Sequence, residues 1–561
     1  MSKKIKYSSN QLAKYIADAP GVVKNYIQAL EKQVGNLANI GLALSKEKNM
    51  SKLLEMILIE AKRIANSDGG TLYMMTDDNR LRFEIMMTDS LDFHMGGTSG
   101  KEIPFYPVKL YDEEGNPNKS MIAAYVGLTG ETVNIPDAYK AKGFDFSGTK
   151  MFDEKTGYHS QSFLTVPLKN HEDEIIGVLQ LLNAQNNNTK KIIPFASDIQ
   201  EMVEALASQA AVAITNKNLI KDLEALFESF IKLIASAIDA KSPYTGGHCA
   251  RVPEITMLLA KAVQETTDGP FADISFTDKE MYELKIAAWL HDCGKVATPE
   301  FVVDKSTKLE TIYDRVNEVE TRFAALKRDE QIKSLRNELK VERDDSLSKE
   351  EKLIKIKTLK SKYSKKLREL KSDLEFIKES NIGGEFMSGD KKDRVHNISN
   401  YRWKPNGKME NFLSEDEVYN LTIPRGTLTA EERKVINDHI VVTINMLEEL
   451  PYPKHLKNVP EFAGGHHEKL DGTGYPKGLT KDEMSVQARI MAIADIFEAL
   501  TAKDRPYKKG KTLSQAMRIL GFMKNDAHID VDLFDIFVKD KIYLKYAEEH
   551  LDPDQIDEVQ M

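Results

Sequence analysis

Cysteine is almost absent from this chain: its 561 residues include only Cys249 and Cys293. Two thiols cannot build a disulfide framework, and so few cysteines are typical of proteins kept in a reducing compartment. A free cysteine usually behaves as a small buried apolar residue. We therefore expect both to be packing residues.

Long apolar runs are also absent. A helix that spans a bilayer needs about 20 predominantly apolar residues, and the sequence contains no run near that length. The first residues, M-S-K-K-I-K-Y-S-S, lack the apolar region of a secretory signal. We expect a cytoplasmic protein that has no membrane partner.

An excess of positive charge is the third absence. Lysine and arginine number 78 against 87 aspartate and glutamate residues, which gives a net charge of -9. Non-specific nucleic-acid binding relies on basic side chains that neutralise phosphates, so we expect no nucleic-acid partner. The composition, 41% hydrophobic and 29% charged, is that of a globular protein. At about 150 residues per domain, the length indicates three or four units.

Histidines occur beside a glycine-rich turn in the stretch G-G-H-H-E-K-L-D-G-T-G-Y-P-K-G-L, which contains His466 and His467. Neutral imidazole is the commonest protein ligand for a transition metal. Glycine and proline supply the irregular backbone that lets two adjacent imidazoles converge. Upstream, A-A-W-L-H-D-C-G-K places His291 and Asp292 at the end of an apolar helix, with Lys295 just beyond.

These two motifs, followed by A-R-I-M-A-I-A-D-I-F-E-A-L-T-A-K-D-R-P-Y-K, resemble the HD-GYP family, a branch of the HD phosphohydrolases. The resemblance implies an all-α catalytic domain formed by residues 241–309 and 427–540. It also implies a set of metal ligands. These are His248, His291, Asp292, His439, His466, His467 and Asp495.

Seven ligands exceed the needs of one catalytic metal, which keeps an open position. The resemblance implies two divalent ions with Asp292 as the bridge between them. The first would be held by His248, His291, Asp292 and Asp495, and the second by His439, His466 and His467. Mixed imidazole and carboxylate ligands favour Fe or Mn and leave Zn and Ni open. Tyr244 replaces a glutamate that holds a third metal in some members, so we expect two.

Two metals roughly 3.5–4 Å apart can bind a phosphodiester and supply a bridging hydroxide that attacks phosphorus. The resemblance makes Asp292 and Lys295 catalytic, with Lys295 stabilising charge on the phosphate. Further substrate contacts are expected from Gly474, Tyr475, Pro476, Arg505 and Lys508. Glu468 is expected to orient a ligand histidine, and Asp471 either to do the same or to hold the turn.

The family's substrate is cyclic di-GMP, which is opened to linear pGpG and sometimes cleaved further to GMP. Three alternatives stay open from the sequence. The substrate could be 3',3'-cyclic GMP-AMP, or another nucleotide as in the wider HD superfamily. The chain could also be a non-catalytic cyclic-dinucleotide receptor that acts through an inserted coiled coil.

Residues 45–217 read as a sensor domain with a helix, several β-branched apolar strands and a closing helix, which indicates an α+β fold. The order resembles a GAF domain. The run F-D-E-K-T-G-Y is similar to GAF domains that bind cyclic nucleotides. It predicts a cyclic-nucleotide-like ligand near Asn134, Asp153 and Thr156. The alternative is a GAF domain that only dimerises or binds another molecule.

The remaining segments connect or extend these domains. Residues 1–44 read as helical, and residues 218–240 as a connecting helix whose apolar seam predicts a homodimer. Residues 310–426 interrupt the catalytic pattern with two charged helices, a predicted coiled-coil hairpin, followed by an irregular segment. Ser348 and Glu351 form a capping box between the helices. The hairpin is a candidate site for a protein partner, and residues 541–561 form an acidic tail.

Overall fold

The computed structural model of the protein describes residues 21–241, 247–502 and 510–560. The chain divides into two compact units, Met1–Leu226 and Phe227–Met561. None of the helices in the described ranges combines the length and the apolar character needed to cross a membrane.

The first unit contains helices and one antiparallel sheet. Its elements, in chain order, are α1 (Gly21–Lys46), α2 (Met50–Ala65), β1 (Ser67–Met75), β2 (Arg80–Thr88), β3 (Phe93–Gly96), β4 (Val108–Lys109), α3 (Ile122–Thr129), β5 (Val133–Ile135), α4 (Ser147–Thr156), β6 (Phe163–Lys169), β7 (Ile175–Gln185), β8 (Ile192–Ile193) and the start of α5 (Ser197–Lys241). The side chain of Asn49 accepts a hydrogen bond from Lys52 N and fixes where α2 begins.

The sheet has the strand order β3-β2-β1-β7-β6-β5, and β4 and β8 pair with β2 and β7. Alternate residues of each strand enter opposite cores, as the period of two requires. Leu72 and Leu179 pack with α2 and α5 on one face, whereas Tyr73 and Val178 pack with α3 on the other. The predicted α+β fold of this unit is confirmed.

The second unit is helical apart from one small hairpin of strands. Its elements are the end of α5, α6 (His248–Glu265), α7 (Asp278–Leu290), α8 (Glu300–Val303), α9 (Val316–Glu342), α10 (Lys349–Ile382), α11 (Gly389–Ser399), β9 (Arg402–Trp403), β10 (Glu410–Asn411), α12 (Glu415–Leu421), α13 (Ala430–Asn437), α14 (His439–Glu448), α15 (Val459–Gly464), α16 (Val486–Thr501), α17 (Leu513–Asn525), α18 (Val531–Lys539) and α19 (Ile542–His550). Short 3-10 helices lie at Cys293–Ala297, Pro405–Gly407, Lys454–Leu456, Lys481–Glu483 and Pro553–Gln555.

One hydrophobic core joins the helices that carry the motif residues. Val252 and Leu259 of α6, Leu284 of α7, and Met491 and Phe497 of α16 are each fully buried in it. The same core reaches the end of α5 and the last three helices of the chain. The motif segments are therefore fixed to one rigid body.

The insert begins with α9 and α10, which we call the arm. Ion pairs join Lys360 to Glu338 and Lys378 to Glu320, so the two helices run antiparallel as predicted. The capping box of Ser348 and Glu351 is present. Ile312 precedes α9 and is 93% exposed.

The segment after the arm is not irregular, contrary to our expectation. It contains α11 and α12, and Ser414 and Glu417 form a capping box at the start of α12. Val395 and Leu421 are buried with Phe323 and Ile377 at the base of the arm. Burial against the arm stabilises these short helices, which would be marginal alone.

Candidate metal centre

A capped helix delivers His291 and Asp292 into the core. Thr277 and Glu280 form the capping box that begins α7, and the helix ends at His291. We call residues 291–298 the Asp292 turn. Its Gly294 N donates to Thr443 Oγ1 at 2.9 Å. A Cβ on Gly294 would lie 2.0 Å from His439 O, so only glycine allows this turn to lie against the start of α14.

The first group of converging side chains comes from three helices. One ligand atom from each of His248, His291 and Asp495 lies within 4.8 Å of the others. His248 Nε2 is 3.3 Å from both His291 Nε2 and Asp495 Oδ1. The structure thus brings together residues that are separated by almost 250 positions in the chain.

The second group contains Asp292, His439, His466 and His467, whose ligand atoms also lie within 4.8 Å of one another. Asp292 contacts both groups. Its Oδ2 is 3.2 Å from His248 Nε2 and 3.2 Å from His291 Nε2. Its Oδ1 is 3.1 Å from His439 Nε2. Asp292 therefore has the geometry of a bridging carboxylate.

The far nitrogen of four of these imidazoles is fixed by an acceptor. His291 Nδ1 donates to Ala288 O at 2.8 Å, and His466 Nδ1 donates to Ala463 O at 2.6 Å. His439 Nδ1 donates to the carbonyl oxygen of Ile436, again three residues earlier. His248 Nδ1 donates to Glu498 Oε2. Each contact leaves the lone pair of Nε2 directed into the centre.

Unpaired polar atoms meet inside the centre. Asp292 Oδ1, His439 Nε2 and His466 Nε2 are buried and accept no hydrogen bond from the described residues. The first two face each other at 3.1 Å, and neither can donate to the other when Nδ1 of His439 carries its proton. The Nε2 atoms of His248 and His291 lie 3.3 Å apart, and each is 3.2 Å from Asp292 Oδ2. Buried acceptors without donors are costly. A pair of divalent cations would satisfy all of them, so this donor set fits the two metals that the resemblance implied.

Electrostatics differ between the two groups. Burial opposes charge on His248, but Asp292, Asp495 and Glu498 raise its pKa well above the usual value. The pKa of His291 rises to about 9 because Asp292 outweighs its burial. Burial and the adjacent imidazoles hold the pKa of His466 well below normal, and burial lowers that of His467 to about 4. The first group attracts positive charge, whereas the second offers neutral donors.

Glu498 is a residue that sequence reasoning missed. Its side chain is 1% exposed, and it accepts from His248 Nδ1 and, at 2.7 Å, from Arg251 Nε. It follows Asp495 by three positions on α16, so both carboxylates lie on the same face of that helix. This spacing was the sequence signal that could have identified Glu498. Thr443, which accepts from Gly294 N, was also missed, because no sequence motif marks it.

Glu468 does not orient a histidine, contrary to our prediction. Its carboxylate accepts from Lys477 N at 2.7 Å and Leu479 N at 3.0 Å, because the backbone of the turn folds around it. Asp471 holds the turn by accepting from Thr473 N and Oγ1. A Cβ on Gly474 would lie 2.3 Å from Lys469 N, so the closely folded turn requires glycine there.

The predicted substrate contacts have different placements. Lys295 Nζ donates to Asp292 Oδ2. The Tyr475 ring stacks on His467 with centroids 4.9 Å apart, and Pro476 follows it in the same turn. Arg505 and Lys508 lie outside the described residues, as does Tyr244.

A cavity of about 300 Å³ opens beside the second group. Its lining residues are His466, His467, Lys469, Tyr475, Asp495, Ile496, Ala499, Leu500 and His528. It combines a cationic side chain, apolar walls and two imidazoles of the centre. The substrate of a metal enzyme needs this kind of access to the ligand atoms.

The first unit has its own cavity of about 510 Å³. Its lining residues do not include Asn134, Asp153 or Thr156. Asn134 Nδ2 donates to Phe195 O and Gln200 Oε1, and the Asp153 carboxylate accepts from Tyr139 and Ser160. These side chains have structural partners, which leaves the predicted ligand contacts without support.

Comparisons with known proteins identify two domains. A family model described as GAF domain matches residues 49–214, and one described as HD domain matches residues 415–533. The chain therefore carries a GAF domain and an HD domain. The HD match begins at residue 415, in the last part of the 310–426 insert, so most of the insert separates it from His291 and Asp292.

Curated relatives match shorter stretches. The 3'3'-cGAMP-specific phosphodiesterase 3 of Vibrio cholerae is 39% identical over 107 residues, which cover 19% of this chain and 22% of the relative. A cyclic di-GMP phosphodiesterase of Pseudomonas aeruginosa is 45% identical over 74 residues, covering 13% and 17%. One from Thermotoga maritima is 39% identical over 93 residues, covering 17% and 25%. The chain thus spans at most a quarter of the length of these three relatives.

Proposed function

We propose that this chain, with its GAF and HD domains, is a metal-dependent phosphodiesterase that opens cyclic di-GMP to linear pGpG, with further cleavage to GMP as a second step. The observation that carries the proposal is the Asp292 carboxylate, whose two oxygens face two separate groups of imidazoles. The names of the relatives support a cyclic dinucleotide as the substrate.

We infer two divalent cations from this donor set, with Fe or Mn as the first candidates. His248, His291 and Asp495 would hold one, His439, His466 and His467 the other, and Asp292 would bridge them. Two such ions would polarise a phosphodiester and lower the pKa of bound water to near neutrality.

Among the described residues, Lys295 is the cationic side chain that contacts the Asp292 carboxylate. Burial opposes its charge, but Asp292 and Asp495 raise its pKa above the usual value, so the ammonium keeps its protons. It can donate to a phosphate oxygen while it stays in contact with Asp292. Charge-assisted donation in a buried site stabilises the charge that develops on phosphorus.

The cavity beside His467 is the proposed substrate site. Tyr475 offers an aromatic face, and Lys469 offers a positive charge for the second phosphate of a cyclic dinucleotide. Glu468 stabilises this wall through the backbone of the turn. The turn therefore contributes shape and charge, while the histidines contribute ligands.

A second candidate substrate is 3',3'-cyclic GMP-AMP, because two relatives bear the name of phosphodiesterases specific for it.

The test of the proposed function is chromatography of products from both cyclic dinucleotides, using anaerobically purified protein loaded with Fe or Mn. Changing both His291 and Asp292 to alanine should abolish turnover, while His396→Ala, an exposed imidazole of α11, should not. Metal-loaded protein that binds but cleaves neither substrate would contradict the enzyme and favour a receptor.

For the GAF domain we propose an uncharged aromatic ligand in place of the cyclic nucleotide predicted from the sequence. The lining of its cavity is rich in aromatic rings. These are Tyr73, Phe83, Phe93, Phe105, Phe146, Phe152, Tyr158 and Phe163. Among the described residues that line it, Asp145 is charged and none is basic. A phosphate would therefore lack a positive partner there.

Thermal shifts of the full chain can test this ligand class with matched probes. Indole should raise the melting temperature of the GAF domain, whereas indole-3-acetate, cyclic AMP and cyclic GMP should not. A shift with either cyclic nucleotide would contradict the proposal.

We propose that α5 contacts a second copy of this chain. Leu219, Leu223, Leu226, Phe230 and Leu233 are 54–67% exposed on this helix. Their spacing of four and three residues is the heptad pattern of a dimeric coiled coil. Leu223→Glu should convert a dimer to a monomer in sedimentation analysis, and Lys221→Glu on the same helix should not. A monomeric parent protein would exclude the interface.

The far end of the arm is our proposed site for a protein partner. Leu335, Leu339, Leu353 and Ile354 are 49–71% exposed there. Exposed apolar side chains at the end of an inserted arm are typical of contact sites. Changing Leu353 and Ile354 to serine should reduce capture of a partner while leaving turnover of the cyclic dinucleotide unchanged.

A further inference from the structure

The last residue of α5 contacts the turn that carries Asp292. Lys241 Nζ donates to Lys295 O at 3.1 Å, to Thr298 O at 2.6 Å and to the carbonyl of Val296. One ammonium thus satisfies three carbonyl oxygens at the end of the 3-10 helix Cys293–Ala297. Carbonyls at a helix end need such donors. Lys241 lies more than 50 positions before these partners and reaches them only through the fold.

The same turn of α5 also contacts the start of α6. The Asp239 carboxylate accepts from Gly247 N at 3.1 Å and Cys249 N at 3.4 Å. These two N–H groups flank His248 in the sequence. Gly247 has no side chain to cap α6, so Asp239 supplies an acceptor that the helix start would otherwise lack.

The end of α5 is itself held firmly. Ile231, Ala235 and Ile238 are buried in the core of the second unit. Glu228 pairs with Lys285 of α7 at 3.2 Å. A shift of this helix end would therefore displace the backbone bound by Lys241 and the backbone bound by Asp239, because a packed core transmits displacement.

We propose that Asp239 and Lys241 are positioning residues of the metal centre, through which a movement of α5 changes the placement of His248 and Lys295. Neither side chain is a metal ligand. Asp239 fixes the backbone on both sides of His248, and Lys241 fixes the backbone of Lys295. Because α5 begins at Ser197, within the first unit, this helix end is the point at which a signal from the GAF domain would act. The regulatory part rests on the proposed function.

Three variants of the full chain test the role of Lys241. Lys241→Met removes the ammonium and keeps the length of the stem, and Lys241→Arg restores a charged donor. Lys221→Met is the control, since Lys221 is exposed on the same helix. Each protein is loaded with Co²⁺, whose visible absorption reports ligand geometry without any turnover. Metal content, melting temperature, kcat and KM for cyclic di-GMP are measured on the same samples.

The expected result for Lys241→Met is an altered Co²⁺ spectrum at the parent's metal content and melting temperature. We expect kcat to fall by about 100-fold, as for a displacement of about 1 Å, while KM changes far less. Lys241→Arg should recover most of both signals, and Lys221→Met should match the parent.

A Co²⁺ spectrum and kcat of Lys241→Met equal to the parent's would overturn the positioning role. Loss of cobalt together with a lowered melting temperature would also overturn it, since Lys241 would then support folding alone. If Lys241→Met fails to fold, the Co²⁺ spectrum of Asp239→Asn is measured instead. A spectrum equal to the parent's overturns the proposal. If the parent cleaves no cyclic dinucleotide, the proposed function fails, while the spectra still decide the role of Lys241.

Discussion

At the scale of single residues, one hydrogen bond from Nδ1 determines how four of the five imidazoles can bind a metal. His291, His439 and His466 all donate from Nδ1 to the carbonyl three residues earlier. A helix end presents that carbonyl without an intrahelical partner. The same local device therefore selects the tautomer three times. His248 Nδ1 donates to the carboxylate of Glu498.

Replacing Glu498 should weaken metal binding at the first group of ligands. Glu498→Ala removes the acceptor for His248 Nδ1, and outer partners of this type are worth about 10- to 100-fold in metal affinity. Glu498→Gln keeps an acceptor and should lose less. Titration with Mn²⁺, followed by measurement of bound metal, gives both affinities. Glu448→Gln, exposed at the end of α14, is the control, and unchanged affinity in Glu498→Ala would refute the role.

Gly294 should tolerate no side chain. In Gly294→Ala the new Cβ would press on His439 O and Thr443 N, both backbone atoms. Overpacking of this kind costs about 1–3 kcal/mol and would separate Asp292 from His439. Urea unfolding and metal content should both report the loss. Gly384→Ala is the matched control, since no atom lies within 4 Å of its Cβ. Equal stability of the two variants would show that the Asp292 turn can move.

The convergence of the seven histidine and aspartate side chains was predictable because their residue types and motif order carry the signal. Glu498 was not singled out, since a glutamate three positions after Asp495 is also common on solvated helix faces. We predicted a histidine as the partner of Glu468, whereas its carboxylate accepts from backbone N–H groups. The periodicity of a sequence does not predict the backbone path of a glycine-rich turn. Residue types therefore predicted which side chains converge, and only the three-dimensional path revealed what orients them.

At the scale of elements, a buried ion pair joins the arm to α12, the second helix after it. Arg322 of α9 donates to both carboxylate oxygens of Glu417 on α12 at 2.7 Å. The guanidinium also lies 5.8 Å from the centre of the Trp403 ring. This contact fixes the base of the arm to the segment that we had expected to be irregular.

Stability of this base should depend on pH through Glu417. Burial opposes its charge, but the bonds from Arg322 outweigh burial and lower its pKa. A lowered folded pKa stabilises the fold above the unfolded value of about 4.3, and this contribution is lost as pH falls through the folded pKa. Glu417→Gln should therefore cost about 2 kcal/mol at pH 7 and progressively less below about pH 5.

Urea unfolding at several pH values, followed by tryptophan fluorescence, measures this difference, with Glu415→Gln in the same helix turn as the control. A cost for Glu417→Gln that stays constant from pH 7 to pH 3 would contradict the ionic origin of the contact.

The arm helices were predictable within a few residues, because long charged helices with a capping box have strong local signals. The segment 383–426 was not. The capping box of Ser414 and Glu417 was present in the sequence, but α12 spans only seven residues and depends on burial of Leu421 beside the arm. The periodicity of apolar residues does not predict short helices that depend on tertiary contacts.

At the scale of the whole molecule, each unit has hydrophobic cores of its own. The cores of the first unit consist of residues from Ile40 to Ile214, and the core around the metal centre begins at Ile231. The division of the chain at Leu226 falls inside the connecting helix that we placed at 218–240. The order of the α+β and helical parts followed from the motifs, whereas the cavity lining of the GAF domain depends on contacts between distant strands.

This separation allows metal binding to be observed in one unit alone. The two tryptophans of the chain, Trp289 and Trp403, both belong to the second unit. Removal of metal with EDTA should lower the midpoint of the tryptophan-detected unfolding transition. Mn²⁺ at about 100 times its dissociation constant should restore about 2.7 kcal/mol.

The GAF domain supplies the internal control for this experiment, because its own cores contain no proposed ligand. Pulsed hydrogen exchange, resolved peptide by peptide at each denaturant concentration, follows the amides of the first unit in the same samples. Its transition should keep the same midpoint with and without metal. Seven converging donors that bind two cations must stabilise the unit that contains them. If EDTA leaves the midpoint of the tryptophan-detected transition unchanged, the proposal of a metal centre is therefore wrong.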